Sequence, residues 1–145
     1  MSDSVRVNAD TSGEASDDDI ISALKKVQLW DTIQIRGGLD AQMKSEPLSQ
    51  GQQQLFCLAR AMLRKSKILL LDEATSNVDS ETDALMQQII RKVFAQHTII
   101  TVAHRLNTIA DSDIVAVLHE GNLVEFGPPG ELLQRPSIFR DLNNA

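Results

Sequence analysis

A single α/β domain, helical in its first half and built on a mostly parallel sheet in its second, is predicted by three observations on the 145-residue sequence. Two short apolar runs, KILLLD (residues 67–72) and TIITVA (residues 98–103), flank a segment with helical period. That is the strand, helix, strand pattern of a right-handed βαβ unit, whose strands are expected to be buried on both faces. Upstream, apolar residues recur at three- and four-residue spacing behind two capping patterns, the mark of core-facing helices.

The elements follow in order. The first twenty residues hold Asp3, Asp10, Glu14, Asp17, Asp18 and Asp19 against one arginine, with little apolar material. Residues 1–16 are therefore expected as a flexible acidic tail. Ser16 and Asp19 have the spacing of a capping box, with acids in the first turn where the helix dipole favours them. Ile20, Leu24 and Val27 then share one helical face, and the helix ends near Trp30. Residues 31–47 are less regular: Gly37-Gly38 interrupts them, and Pro47 discourages helix at Glu46.

A second helix is expected over about residues 49–64. Ser49 and Gln52 repeat the capping-box spacing, and Leu55, Leu58, Ala59, Met62 and Leu63 form the buried stripe. Arg60, Arg64 and Lys65 gather near its C-terminal end, in agreement with the dipole. After the first strand, Leu85, Met86, Ile89, Ile90, Val93 and Phe94 restore the helical period. Residues 113–119 and 123–126 read as two further strands joined through Glu120-Gly121-Asn122 as a hairpin turn. Pro128 and Pro129 end the sheet, and a closing helix begins at Glu131. The expected organisation is a tail (1–16), a helical subdomain (17–66) and a sheet-containing core (67–145).

Composition excludes several classes of function. A formal charge of −6, with no clustered basic stripe, argues against a nucleic-acid surface. No apolar run approaches the roughly 18 residues of a membrane span, and the acidic, polar N-terminus is no secretory signal. A soluble, intracellular chain, or a fragment of something larger, is expected. The lone Cys57 cannot form an internal disulfide; flanked by Phe56 and Leu58, it reads as a buried thiol, with a reactive thiol as the alternative.

In open parallel sheets ligands bind at the carboxyl ends of strands, which is where Asp72-Glu73 and His104 stand. One acid there can hold magnesium, a second can polarise a water, and a histidine can contact a phosphate oxygen. Each also has an ordinary structural reading, as strand terminator or satisfied polar residue, and His97 and His119 are left with that reading. Ser49-Gln50-Gly51-Gln52 is a good helix cap and equally a candidate anion site. A helix N-terminus offers free N–H groups, and Gly51 removes a Cβ that would keep a phosphate away, at about 1 kcal/mol in helix propensity.

Together, "LSQGQ", "ILLLDEATSNVD" and "TVAHR", in this order and spacing, resemble the ATP-binding-cassette (ABC) transporter family, over nearly the whole chain. The resemblance implies a partial P-loop NTPase (ABC cassette) fold. Residues 48–52 would be the signature motif, with Ser49, Gln50, Gly51 and Gln52 facing nucleotide, and residues 68–72 the Walker B strand, with Asp72 on magnesium. Glu73 would be the catalytic base, residues 76–79 the D-loop with Asp79 near nucleotide, and His104 the switch histidine. The details look most like the second cassette of fungal multidrug-resistance-associated (C-subfamily) exporters, in which Gln50 replaces the commoner glycine. ATP and Mg2+ are the implied cofactors. A second cassette and transporter membrane domains are the implied partners, on the cytoplasmic side of a membrane.

One part of the family pattern is absent. The phosphate-binding loop G-x-x-x-x-G-K-[ST] needs a glycine followed by lysine, and no glycine here precedes a lysine. The resemblance therefore implies the C-terminal half of a cassette, lacking the P-loop strand between residues 98–103 and 113–119. Such a chain is expected to be inactive alone, with unpaired strand edges. The alternatives are a partial cassette that docks on and modulates an intact one, and a pseudogene product.

Overall fold

The computed structural model describes residues 3–45, 47–72, 78–102, 109 and 111–143. The chain divides into two compact units, Met1–Thr101 and Val102–Ala145. The expected boundary at 66/67 is not where the division falls. One continuous apolar cluster joins helical residues such as Leu24, Val27 and Phe56 to Leu69, Leu71, Met86 and Phe94 from the strand and helix beyond it.

In the first unit, α1 (Val5–Ala9) occupies the stretch expected as a mobile tail. Val5 and Ala9, four residues apart on one face, are buried, and the Val5 N–H donates to the Ala41 carbonyl at 3.0 Å. Arg6 answers the local acidity by pairing with Asp17 and Asp40. Composition averaged over the segment hides this short amphipathic turn. Helix α2 (Asp17–Lys26) is opened by the expected Ser16/Asp19 capping box. It closes at Gln28, whose φ of 58° is left-handed, while Leu29 N–H donates to the Leu24 carbonyl and Gln28 N–H to that of Lys25. This is a Schellman closure with glutamine where glycine is usual. Trp30 then starts a separate helix, α3 (Trp30–Ile35), followed by a 3-10 turn (Gly38–Asp40), within the stretch expected to be irregular.

Helix α4 (Gln50–Leu63) is capped by Ser49 and buries Leu55, Phe56, Leu58 and Ala59. Cys57 is exposed, against the expectation of a buried thiol. It lies just over half a turn past Leu55, on the side away from the stripe, so apolar neighbours in sequence say nothing of its own face. Strand β1 (Ile68–Asp72) leads through α5 (Ser80–Val93) to β2 (Thr98–Val102), and β1 and β2 pair as a parallel sheet. Burial on both faces is not found. In β1 only Leu69 and Leu71 are buried, whereas Ile68 and Leu70 are 59% and 67% exposed, and every residue of β2 is exposed. Among the described residues nothing covers the second face.

In the second unit, β3 (Val115–His119) and β4 (Asn122–Gly127) form an antiparallel hairpin with His119 opposite Asn122. The turn residues Glu120 and Gly121 both have positive φ, 48° and 76°, as a type I′ turn requires. Helices α6 (Pro129–Gln134) and α7 (Ile138–Asn143) follow, and Leu132 and Phe139 pack on Val115 and Val117. Glu125 accepts the Ile138 and Phe139 N–H groups at 2.8 and 3.1 Å, satisfying the start of α7. No helix among the described residues is long and apolar enough to cross a membrane.

Candidate functional site

The first turn of α4 is the best-defined part of the site. Ser49 Oγ accepts the Gln52 N–H at 3.2 Å, and Gln52 Oε1 accepts the Ser49 N–H at 3.0 Å. The box fixes the backbone of residues 49–52, and Gln53 adds an Nε2–H donated to the Leu48 carbonyl at 2.9 Å. The Ser49 hydroxyl keeps its own proton to donate outward. Ser49 and Gln50 are exposed, and Gly51 and Gln52 half-buried.

Charge separates this helix start from the other two long ones. Helix α2 carries Asp17, Asp18 and Asp19 in its first turn, and α5 carries Glu81 and Asp83, whereas α4 has no acid there. Its first turn brings no carboxylate of its own to the positive end of the dipole. That suits a phosphate or another anion. The residues present therefore fit the polyphosphate part of a nucleotide.

Asp79 caps α5. Its carboxylate accepts the Thr82 N–H at 2.9 Å and the Thr82 hydroxyl at 2.7 Å. These two bonds, the backbone one foremost, hold the Asp79 carboxyl below its ordinary pKa. Thr82 in turn meets Gly51: a Cβ built on Gly51 would lie 3.0 Å from Thr82 Cγ2. The structure thus joins Gly51 and Asp79 through a residue that the motif reading did not single out. The available signal was Asp79-x-x-Thr82, the spacing of a cap and the third residue of its helix. The space a Cβ would take at position 51 is filled by Thr82 rather than left open for a ligand.

Asp72 ends β1 with an exposed side chain. Its oxygen ligand and position suit a hard divalent cation such as Mg2+. Among the described residues no group of three or more His, Cys, Asp or Glu stands ready to hold a metal ion. Glu73, Ser76 and His104 lie outside the described residues. His97 packs its ring edge-on against Phe94, with centroids 5.1 Å apart, in keeping with a structural role.

Comparison with known proteins adds independent findings. A family model described as ABC transporter matches residues 2–76. The chain is 55% identical over 136 residues to "ABC multidrug transporter B" of Aspergillus fumigatus, covering 94% of this chain and 9% of that protein. It is 49% identical over 138 residues to "ABC transporter atnG" of Emericella nidulans, covering 95% and 9%. To "ATP-binding cassette sub-family C member 4" of Mus musculus it is 48% identical over 139 residues, covering 93% and 10%. The chain thus spans about a tenth of the length of these relatives. Among solved structures, a bacterial Atm1-family ABC exporter with ATP bound superposes with a TM-score of 0.86 at 33% identity, covering 99% of this chain and 26% of that one.

Proposed function

The chain belongs to the ABC transporter family, and we propose that it supplies the signature-bearing part of an ATP-binding cassette that works with a segment carrying the phosphate-binding loop. Its α/β fold is that of a partial ABC cassette. The observation that carries the proposal is the uncovered outer face of β1 and β2. Ile68, Leu70 and Ile100 are each more than half exposed on strands whose sequence is written for burial. The same sequence contains no Gly-Lys dipeptide from which to build its own phosphate cradle. A strand–loop–helix unit bearing that loop would meet both needs, its strand pairing beside β2 and its helix lying on the exposed face.

Bound ATP with Mg2+ would supply the cleavable phosphoanhydride and the charge neutralisation that phosphoryl transfer requires. The chain's own contribution is positional. Asp72 would ligate the ion, and Glu73, by the family resemblance, would orient and deprotonate the attacking water. His104 would hold a phosphate oxygen. Ser49, Gly51 and Gln52 would close over nucleotide bound by a second cassette, with Asp79 at the same junction. In the complete transporter these parts would sit at the cytoplasmic face of a membrane, beside the membrane domains, and turnover would be coupled to export. A second reading, a partial cassette that caps nucleotide on an intact one, is favoured by the preformed capping box of α4 in this chain alone.

The test is nucleotide binding and phosphate release by the 145-residue chain alone and joined to the preceding segment of a matched fungal relative. The chain alone is expected to release no phosphate, because loss of even one preorganised donor removes roughly 10²–10³ in rate. The joined protein is expected to bind ATP, and Glu73→Gln to keep binding while abolishing release. Mg2+-dependent turnover by the chain alone that Glu73→Gln removes would sink the proposal.

A further inference from the structure

Gly51 stands in the first turn of α4, where helix propensity favours alanine over glycine. Among the described residues the three heavy atoms nearest to a Cβ there all belong to Thr82: Cγ2 at 3.0 Å, Oγ1 at 3.2 Å and Cβ at 3.5 Å. Thr82 is poorly placed to give way. Its N–H donates to Asp79 Oδ1 at 2.9 Å and its hydroxyl to Oδ2 at 2.7 Å, so both oxygens of the cap hold it. Its β-branched side chain has few rotamers in a helix, and turning it would exchange methyl and hydroxyl and break the bond to Oδ2. Gly130, also helical, provides the contrast: a Cβ there meets nothing within 4 Å.

We propose that Thr82 is a positioning residue. Held by Asp79, its methyl group sets how closely the first turn of α4 lies against α5, and position 51 is glycine because of that contact. A displacement of Asp79 is thereby passed through Thr82 to the backbone N–H groups of residues 51 and 52. The consequence for nucleotide rests on the cassette reading, since Ser49, Gly51 and Gln52 are the residues proposed to close over nucleotide. The contact itself does not depend on that reading.

The experiment uses the full 145-residue chain without nucleotide. It measures denaturant unfolding and the amide NMR shifts of Gly51 and Gln52 for Gly51→Ala, Thr82→Ser, Thr82→Val, both double variants with Gly51→Ala, and Gly130→Ala. Gly51→Ala is expected to lower the unfolding midpoint, while Gly130→Ala leaves it level or raises it. Thr82→Ser, which keeps the hydroxyl bond and removes the methyl, is expected to restore most of the loss. Thr82→Val, which keeps the bulk and breaks the bond, restores none, and by itself shifts the Gly51 and Gln52 amides. If Gly51→Ala fails to fold, recovery of a folded chain in the serine double variant is the same result in stronger form. A midpoint raised by Gly51→Ala, as propensity alone requires, overturns the proposal; so does a serine variant that rescues nothing. No arm uses ATP, so failure here leaves the cassette reading standing, and failure of that reading leaves these outcomes unchanged.

Discussion

Asp10 accepts the Ser12 hydroxyl at 2.5 Å, the Ser12 N–H at 3.0 Å and the Ala15 N–H at 2.7 Å. These bonds, the Ser12 hydroxyl foremost, lower its pKa from 3.8 to about 2. The fold favours the charged form, so this contribution to stability is complete above 3.8 and is lost as pH falls through about 2. A carboxyl NMR titration should find the Asp10 midpoint near 2, and Asp10→Asn should flatten the acid limb of stability across that window. A midpoint at 3.8 would mean that the turn is not formed. Ser49 offers a second test at the same scale. Its hydroxyl satisfies the Gln52 N–H, so Ser49→Ala should cost about 1 kcal/mol in urea unfolding without nucleotide. Unchanged stability would remove the cap. Exposed Cys57 should react with a thiol reagent in the native chain nearly as fast as in urea, whereas protection would return it to the interior.

Among the elements, the β3–β4 hairpin depends on two residues with positive φ, of which only Gly121 adopts it freely. Gly121→Ala should therefore cost about 1–2 kcal/mol, and Glu120→Asn should stabilise, both read from thermal unfolding. Equal midpoints for all three chains would exclude a type I′ turn. The hairpin was legible in the sequence, as were both capping boxes and the stripe of α4, because each is set by residues a few positions apart. Helices α1 and α3 were not. They are too short to be stable by propensity and exist through contacts such as Val5 N–H to the Ala41 carbonyl. Strand burial was not legible either, since KILLLD and TIITV describe what could be covered rather than what covers them. Within the candidate site, local pattern singled out Ser49 to Gln52 and Asp72 as candidates, and the family resemblance added Asp79. Thr82 escaped because its meaning arises only where α5 comes against α4.

For the molecule as a whole, the two faces of β1 separate what holds this chain together from what it presents to others. Leu69 and Leu71 point into the cluster that contains Phe56 and Met86, whereas Leu70 lies between them in sequence and points out. Leu69→Ala should therefore destabilise the isolated chain by about 2–5 kcal/mol, the usual cost of truncating a buried leucine. Leu70→Lys removes an apolar side chain from water and should leave stability within about 0.5 kcal/mol while reducing self-association. In a cassette completed by a loop-bearing strand and the helix that follows its loop the order reverses for Leu70. The same lysine would then be carried into a dry interface as an unpaired charge, a change that costs several kcal/mol, and assembly and ATP binding should fail. Light scattering and urea unfolding of the isolated chain, set beside ATP binding by the completed one, measure both halves. A Leu70→Lys chain that still binds ATP when joined to the loop-bearing segment would show that the outer face of β1 is not where such a segment docks.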